Sequence, residues 1–224
     1  MPSALATEPA PKVDAILLFG FGPFAGRAEN ASWLSVMQFS GGGNVHSAEV
    51  PVVWGAPADA LRAEVKGARR VLVVALGEGS DRIQVETLAH NERGEYHDEA
   101  KNLPADPKVD PASAGVLRLT GPADTLAKKL TQAGFPAETS QDAGRFLCNE
   151  MLYDLIELKQ SNPQVVDVFF IHVPVLNQPF ERNGERVPAD KDFCTRFGRA
   201  LVKSLNELYP FAAGSAADLP AHSL

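Results

Sequence analysis

Val71-Leu72-Val73-Val74-Ala75-Leu76 is an unbroken apolar run, preceded by Arg69-Arg70 and followed by Gly77-Glu78-Gly79. Apolar side chains at every position, with no alternation, predict a strand buried on both faces. Ala15 to Phe19 and Val165 to Val173 read the same way. Ala48 to Val53 predicts another strand, placed near an edge by Pro51, and Arg82 to Ala89 alternates as a further one. Helical spacing runs through Leu61, Val65 and Ala68, through Leu126, Leu130 and Ala133, and through Leu147, Met151, Leu155 and Leu158. Cys194 to Leu208 predicts a closing helix. Strands alternating with helices imply an α/β fold with a mainly parallel or mixed central sheet covered on both faces. In such folds ligands bind beyond the carboxyl ends of the strands, so chemistry is expected just after a strand or just before a helix.

The 224 residues carry a net charge of −7. That balance argues against a nucleic-acid partner, which needs a basic face. Lys128-Lys129 and Arg69-Arg70 read as solvated pairs. The longest apolar runs, Ala15 to Phe21 and Val168 to Val173, are too short to cross a bilayer. Two cysteines and a first segment with neither a basic start nor an apolar run point to a cytoplasmic protein with reduced thiols. Residues 13–210 read as a single domain, and residues 1–12 and 212–224 as tails without fixed structure.

Four segments lie where chemistry is expected. Gly20-Phe21-Gly22-Pro23-Phe24 follows the first strand. Its glycine spacing invites a dinucleotide reading, but the third glycine, Gly26, comes one residue late, Pro23 interrupts and no acidic residue closes the next strand. Phe21 and Phe24 can instead wall a small apolar pocket. Cys148 opens a predicted helix, where the N-terminus stabilises a thiolate and free N–H groups can receive an oxyanion; packing in the core is the competing reading. His172 ends an apolar strand and needs a polar partner there. Glu86 lies on an alternating strand, where it either faces water or orients a histidine. His90, His97, Asp98 and Glu99 lack metal-ligand spacing, so no metal is expected. No Gly-x-Ser-x-Gly elbow is present.

Taken together, the segments resemble the pyroglutamyl-peptidase I (pyrrolidone-carboxylate peptidase) family of cysteine peptidases, from about Ile16 to about Leu208. Gly20-Phe-Gly-Pro-Phe24, Asn30-Ala-Ser-Trp33, Glu86-Thr-Leu-Ala-His-Asn91, Ser140 to Asn149 and Ile171-His-Val-Pro174 carry the likeness, in the family's order. The resemblance implies a three-layer α/β/α sandwich and a Glu86, Cys148, His172 triad acting without a cofactor. It implies that Phe21 and Phe24 pack on a lactam ring, that Asn30 binds its carbonyl, and that Phe146 and Leu147 close the pocket. The implied substrate is a peptide with an N-terminal pyroglutamyl residue, released as free pyroglutamate. A lactam carries no ammonium, so the pocket needs no anion to receive one. The protein is expected to be a possible homo-oligomer. Tyr96 stands where many bacterial members carry an arginine, and Arg93 is the nearby substitute. Loss of turnover through that loop is the alternative: a binding protein of the same fold.

Overall fold

The computed structural model describes residues 10–79, 81–113, 115–182 and 184–214. Most of both expected tails, residues 1–9 and 215–224, lies outside the described residues. The ends that are described are tied together: the Ala212 N–H donates to the Val13 carbonyl, and Val13 bridges to Phe211.

Chain order runs β1 (Ala15–Phe21), α1 (Ala31–Val36), β2 (Val45–Val50), α2 (Ala56–Val65), β3 (Val71–Glu78), β4 (Ile83–Glu86), β5 (Leu88–His90), β6 (Val116–Arg118), α3 (Ala123–Gln132), β7 (Ala137–Ser140), α4 (Leu147–Ser161), β8 (Val165–Val173), β9 (Pro179–Arg182), β10 (Glu185–Pro188) and α5 (Lys191–Leu208). The central sheet has the order β2-β1-β3-β8-β4-β7. Its first four strands are parallel; β4 runs antiparallel to β8, and β7 is parallel to β4.

Side-chain alternation divides the core between two faces. Leu72, Val74 and Leu76 of β3 pack with residues of α3 and α5 such as Leu126, Leu130, Phe193, Phe197 and Leu201. Val71, Val73 and Ala75 pack on the other face with Leu61 and Val65 of α2 and Met151, Leu152 and Leu155 of α4. This is the predicted α/β sandwich. After β1 the chain adds β2 on one side and β3 on the other, so the strand order reverses beside β1. A crevice opens at such a point, past the strands' carboxyl ends.

Two strands differ from their sequence-based expectations. The second is Val45–Val50 rather than 48–53: it does lie at the sheet edge, but Pro51 ends it instead of sitting inside it. The run 82–89 breaks at Thr87, whose N–H and hydroxyl both donate to the Ser140 carbonyl, at 2.8 and 2.6 Å. Glu86 thus ends β4 in the main sheet, while β5 leaves to pair with β6.

Helices α1 and α5 approach almost backbone to backbone. A Cβ on Gly198 would lie 1.8 Å from the Ser35 carbonyl oxygen. Gly198→Ala must separate the helices. We expect it to cost about 2–3 kcal/mol and lower the unfolding midpoint by roughly 4–10 °C. A calorimetric shift below about 2 °C would show that the contact yields freely.

Candidate active site

Helix α4 starts at Leu147, the first residue of its apolar spacing, with Phe146 as an extended N-cap lacking a side-chain capping bond. The first described intrahelical-type bond runs from the Glu150 N–H to the Phe146 carbonyl, at 3.1 Å. The N–H groups of Leu147, Cys148 and Asn149 precede it and lack intrahelical acceptors. Asn149 is wholly buried and pins the neighbouring loop, accepting from the His90 N–H and donating to the His90 and Glu92 carbonyls.

Glycines in β3 and just after it admit two reactive side chains. A Cβ on Gly77 would meet Cys148 Sγ at 2.7 Å, and one on Gly79 would meet the His172 ring at 2.7 Å. His172 lies on β8 beside β3, and its Nδ1 is 2.8 Å from Oε1 of Glu86 on β4. Both side chains are buried, Glu86 completely, and Glu86 Oε2 has no hydrogen-bond partner among the described residues. Burial opposes a charge on His172. Cys148 and Glu86 outweigh that opposition, by charge and by hydrogen bonding, and raise the imidazole pKa to about 10.

Beside Cys148 lies a cavity of about 140 Å³. It is well below the roughly 300 Å³ at which drug-sized sites begin and suits one small ring. Phe21, Phe24, Asn30, Phe146 and Leu147, all predicted from the sequence, line it together with Cys148. Phe146 is held by neighbouring rings: Phe24 at 5.3 Å, Trp54 edge-on at 5.0 Å and Tyr96 edge-on at 5.9 Å between centroids.

Asn30 has more than one task. Its Oδ1 accepts from the N–H and the hydroxyl of Ser32, capping α1, and its Nδ2 donates to the Gly22 carbonyl. The second Nδ2 hydrogen meets no acceptor among the described residues. Arg93 lies away from the cavity, bonded to Glu150 at 2.9 Å and to the Lys108 carbonyl. Tyr96 lies against the outer side of Phe146's aromatic cluster and is 57% exposed. Asp98 is spent on the N–H groups of Trp54 and Asn102, and Glu99 on that of Ala25.

Sequence reasoning missed Glu78 and Arg27, which also line the cavity and form an ion pair. A carboxylate therefore stands in the cavity wall, paired with a guanidinium and accepting from the N–H groups of Ala31 and Leu176. The available signal was Gly77-Glu78-Gly79, a charge at the end of an apolar strand between two residues with no side chain.

Comparison with known proteins agrees with this geometry. The family model for pyroglutamyl peptidase matches residues 14–190. A pyrrolidone-carboxylate peptidase of Gloeobacter violaceus is 36% identical over 169 residues, covering 72% of this chain and 82% of that protein. One from Chromobacterium violaceum is 31% identical over 195 residues, covering 84% and 90%. The fold matches the crystal structure of pyrrolidone carboxyl peptidase from Fervidobacterium islandicum with a TM-score of 0.75, at 23% identity, over 88% of this chain and 99% of that one. By both the family match and the curated relatives, the chain belongs to the pyroglutamyl peptidase family.

Proposed function

We propose that this protein is a cysteine exopeptidase that cleaves the bond after an N-terminal pyroglutamyl residue and releases free pyroglutamate. The observation that carries the reading is the buried Glu86–His172 pair, acting on Cys148 at the edge of a small, largely apolar cavity. The lactam ring lies between Phe21, Phe24 and Phe146, with the spare Asn30 N–H directed to its carbonyl. Cys148 attacks the pyroglutamyl carbonyl as a thiolate. The N–H groups at the start of α4 receive the oxyanion. His172 is protonated at neutrality and passes its proton to the leaving amine; the neutral ring then draws a proton from the water that cleaves the thioester. Glu86 holds the ring and balances its charge. No described helix is long and apolar enough to cross a membrane, and two unpaired thiols suit the reducing cytoplasm.

A fluorogenic pyroglutamyl amide tests the reading: steady release of the fluorophore is expected, and binding without release would overturn it. A second measurement reads the histidine. Because Cys148 raises the His172 pKa, Cys148→Ala should lower it from about 10, as followed by NMR titration of the ring. In the wild type, turnover should decline as pH rises through about 10, where the imidazolium is lost. The sign for stability is the same. A folded pKa above the ordinary 6.5 stabilises the fold fully below pH 6.5, and that contribution disappears as pH rises through about 10. An unchanged ring pKa in Cys148→Ala would mean that the two side chains are not coupled.

A further inference from the structure

Glu150 lies in the first turn of α4, two residues after Cys148. Its side chain is 1% exposed, and that of its partner Arg93 16%. Arg93 Nε donates to Glu150 Oε2 at 2.9 Å, and the Gly55 N–H donates to Oε1 at 2.9 Å. The guanidinium also donates through Nη1 to the Lys108 carbonyl, at 2.7 Å. One buried contact thus joins α4, the turn before α2 and two points of the 91–113 segment. Asp154, one turn further along α4, does not compete for the cation at neutrality. Burial, reinforced by Glu150 and Glu157, pushes its carboxyl up to about 8 against the pull of Arg93 and Arg62. Burying an ion pair is costly, and apolar side chains of similar size would pack there at lower free energy. The pair therefore calls for an explanation beyond packing.

Neither side chain lines the cavity. Their neighbours in the chain support its outer wall. Trp54, next to Gly55, stands edge-on to Phe146, and so does Tyr96, three residues after Arg93. Trp54 Nε1 donates to the Tyr96 carbonyl at 3.1 Å. The Gly94 N–H donates at 2.6 Å to the carbonyl of Arg145, immediately before Phe146. The rings hold one another only by weak edge contacts. The backbone segments that carry them meet at the Arg93–Glu150 contact. We propose that Arg93 and Glu150 are positioning residues: their contact keeps Trp54 and Tyr96 against Phe146 and so fixes the outer wall of the cavity from behind. The pair touches neither the bound residue nor the reacting groups. This inference rests on the pyroglutamyl reading of the site.

A double variant separates positioning from stability. Arg93→Met alone strands a buried carboxylate and should lower the melting temperature. Adding Glu150→Gln removes that charge, while the amide oxygen still accepts from the Gly55 N–H. Arg93→Met/Glu150→Gln should therefore melt within about 3 °C of wild type, since replacing both members of a buried pair is often neutral. Its KM for a pyroglutamyl amide should nonetheless stay raised about three- to tenfold, the worth of one aromatic contact. Its kcat should stay within about twofold, the pattern of lost uniform binding. Iodoacetamide, too small to use the wall, should label Cys148 at the wild-type rate. A purely structural pair would restore KM together with the melting temperature, so a folded double variant with KM within about twofold of wild type overturns the proposal. A fall in kcat and in Cys148 labelling without a rise in KM also overturns it, because the pair would then act on the nucleophile. If the double variant does not fold, Arg93→Lys reads the same link. Its single ammonium keeps the charge but not the fork that spans Glu150 and Lys108, so KM should rise at least about threefold, and an unchanged KM overturns the proposal. Calorimetric binding of L-pyroglutamamide to Cys148→Ala, with and without the double change, keeps the two readings apart. Weakened binding without wild-type turnover would overturn the peptidase reading alone. Normal wild-type turnover with unweakened binding would overturn the positioning role alone.

Discussion

Cys148→Ala is expected to abolish hydrolysis of pyroglutamyl amides, lowering kcat by roughly 10⁴-fold or more, as removal of a nucleophile does in comparable hydrolases. The fold should survive, because Cys148 is only half-buried and its sulfur fills the gap above Gly77 rather than a core position. Cys148→Ser should behave almost as badly, since a hydroxyl beside the same imidazole ionises far less readily than a thiol. The second cysteine supplies an internal control. Cys194 is wholly buried on α5, and burial pushes its thiol up to about 11, with Glu78 and Asp190 adding to the rise. Iodoacetamide should therefore label one site per native chain, in step with loss of activity. Cys194→Ser should keep full turnover and resist no less labelling than the wild type. Near wild-type activity in Cys148→Ser, or labelling at Cys194 that tracks inactivation, would remove Cys148 from the mechanism.

Much of this arrangement is legible in the sequence, and the reasons are physical. The strands Val71–Glu78 and Val165–Val173 declare themselves because burial on both faces leaves almost no polar residue to blur the pattern. Cys148 and His172 stand out because each interrupts or adjoins such a pattern with a group that needs a partner. Phe21, Phe24, Phe146 and Leu147 came with the family likeness, and the fold brings them around one cavity. Short elements were less visible. Helix α1 spans Ala31–Val36, too few residues for a period to emerge, and it owes its start to the Asn30 cap. The break at Thr87 depends on the Ser140 carbonyl, more than 50 residues away, and no local window contains it. Arg93 and Arg27 show the same limit for charges. Arg93 is adjacent in sequence to the motif yet is consumed by Glu150, while Arg27, in the loop after β1, lines the cavity and pairs with Glu78 at the end of β3. Ion-pair partners are chosen by the fold, so the sequence alone does not say which of such charges reaches the site.

His172→Ala and Glu86→Gln should separate the two halves of the proton machinery. In the proposed mechanism, removing the imidazole takes away both the acid for the leaving amine and the base for the attacking water. Losses of about 10²- to 10⁴-fold are expected for general acid–base catalysis of this kind. Glu86→Gln is predicted to cost less, and the geometry says why. Only Glu86 Oε1 is engaged, at 2.8 Å from His172 Nδ1, while Oε2 has no partner among the described residues. Nothing there forces the amide of the variant to turn its NH₂ toward the ring, so an oxygen can still accept from Nδ1–H and keep the imidazole aligned. What disappears is the negative charge. Since Glu86 helps to raise the His172 pKa to about 10, its removal should move the alkaline fall in activity to lower pH, whereas a purely positional role would leave that limb in place. The test is a kcat/KM profile of both variants across neutral and alkaline pH. A Glu86→Gln profile of reduced height but unchanged shape would reduce Glu86 to a steric support. A His172→Ala enzyme within a few-fold of wild type would remove the histidine from the reaction and leave Cys148 to find its proton elsewhere.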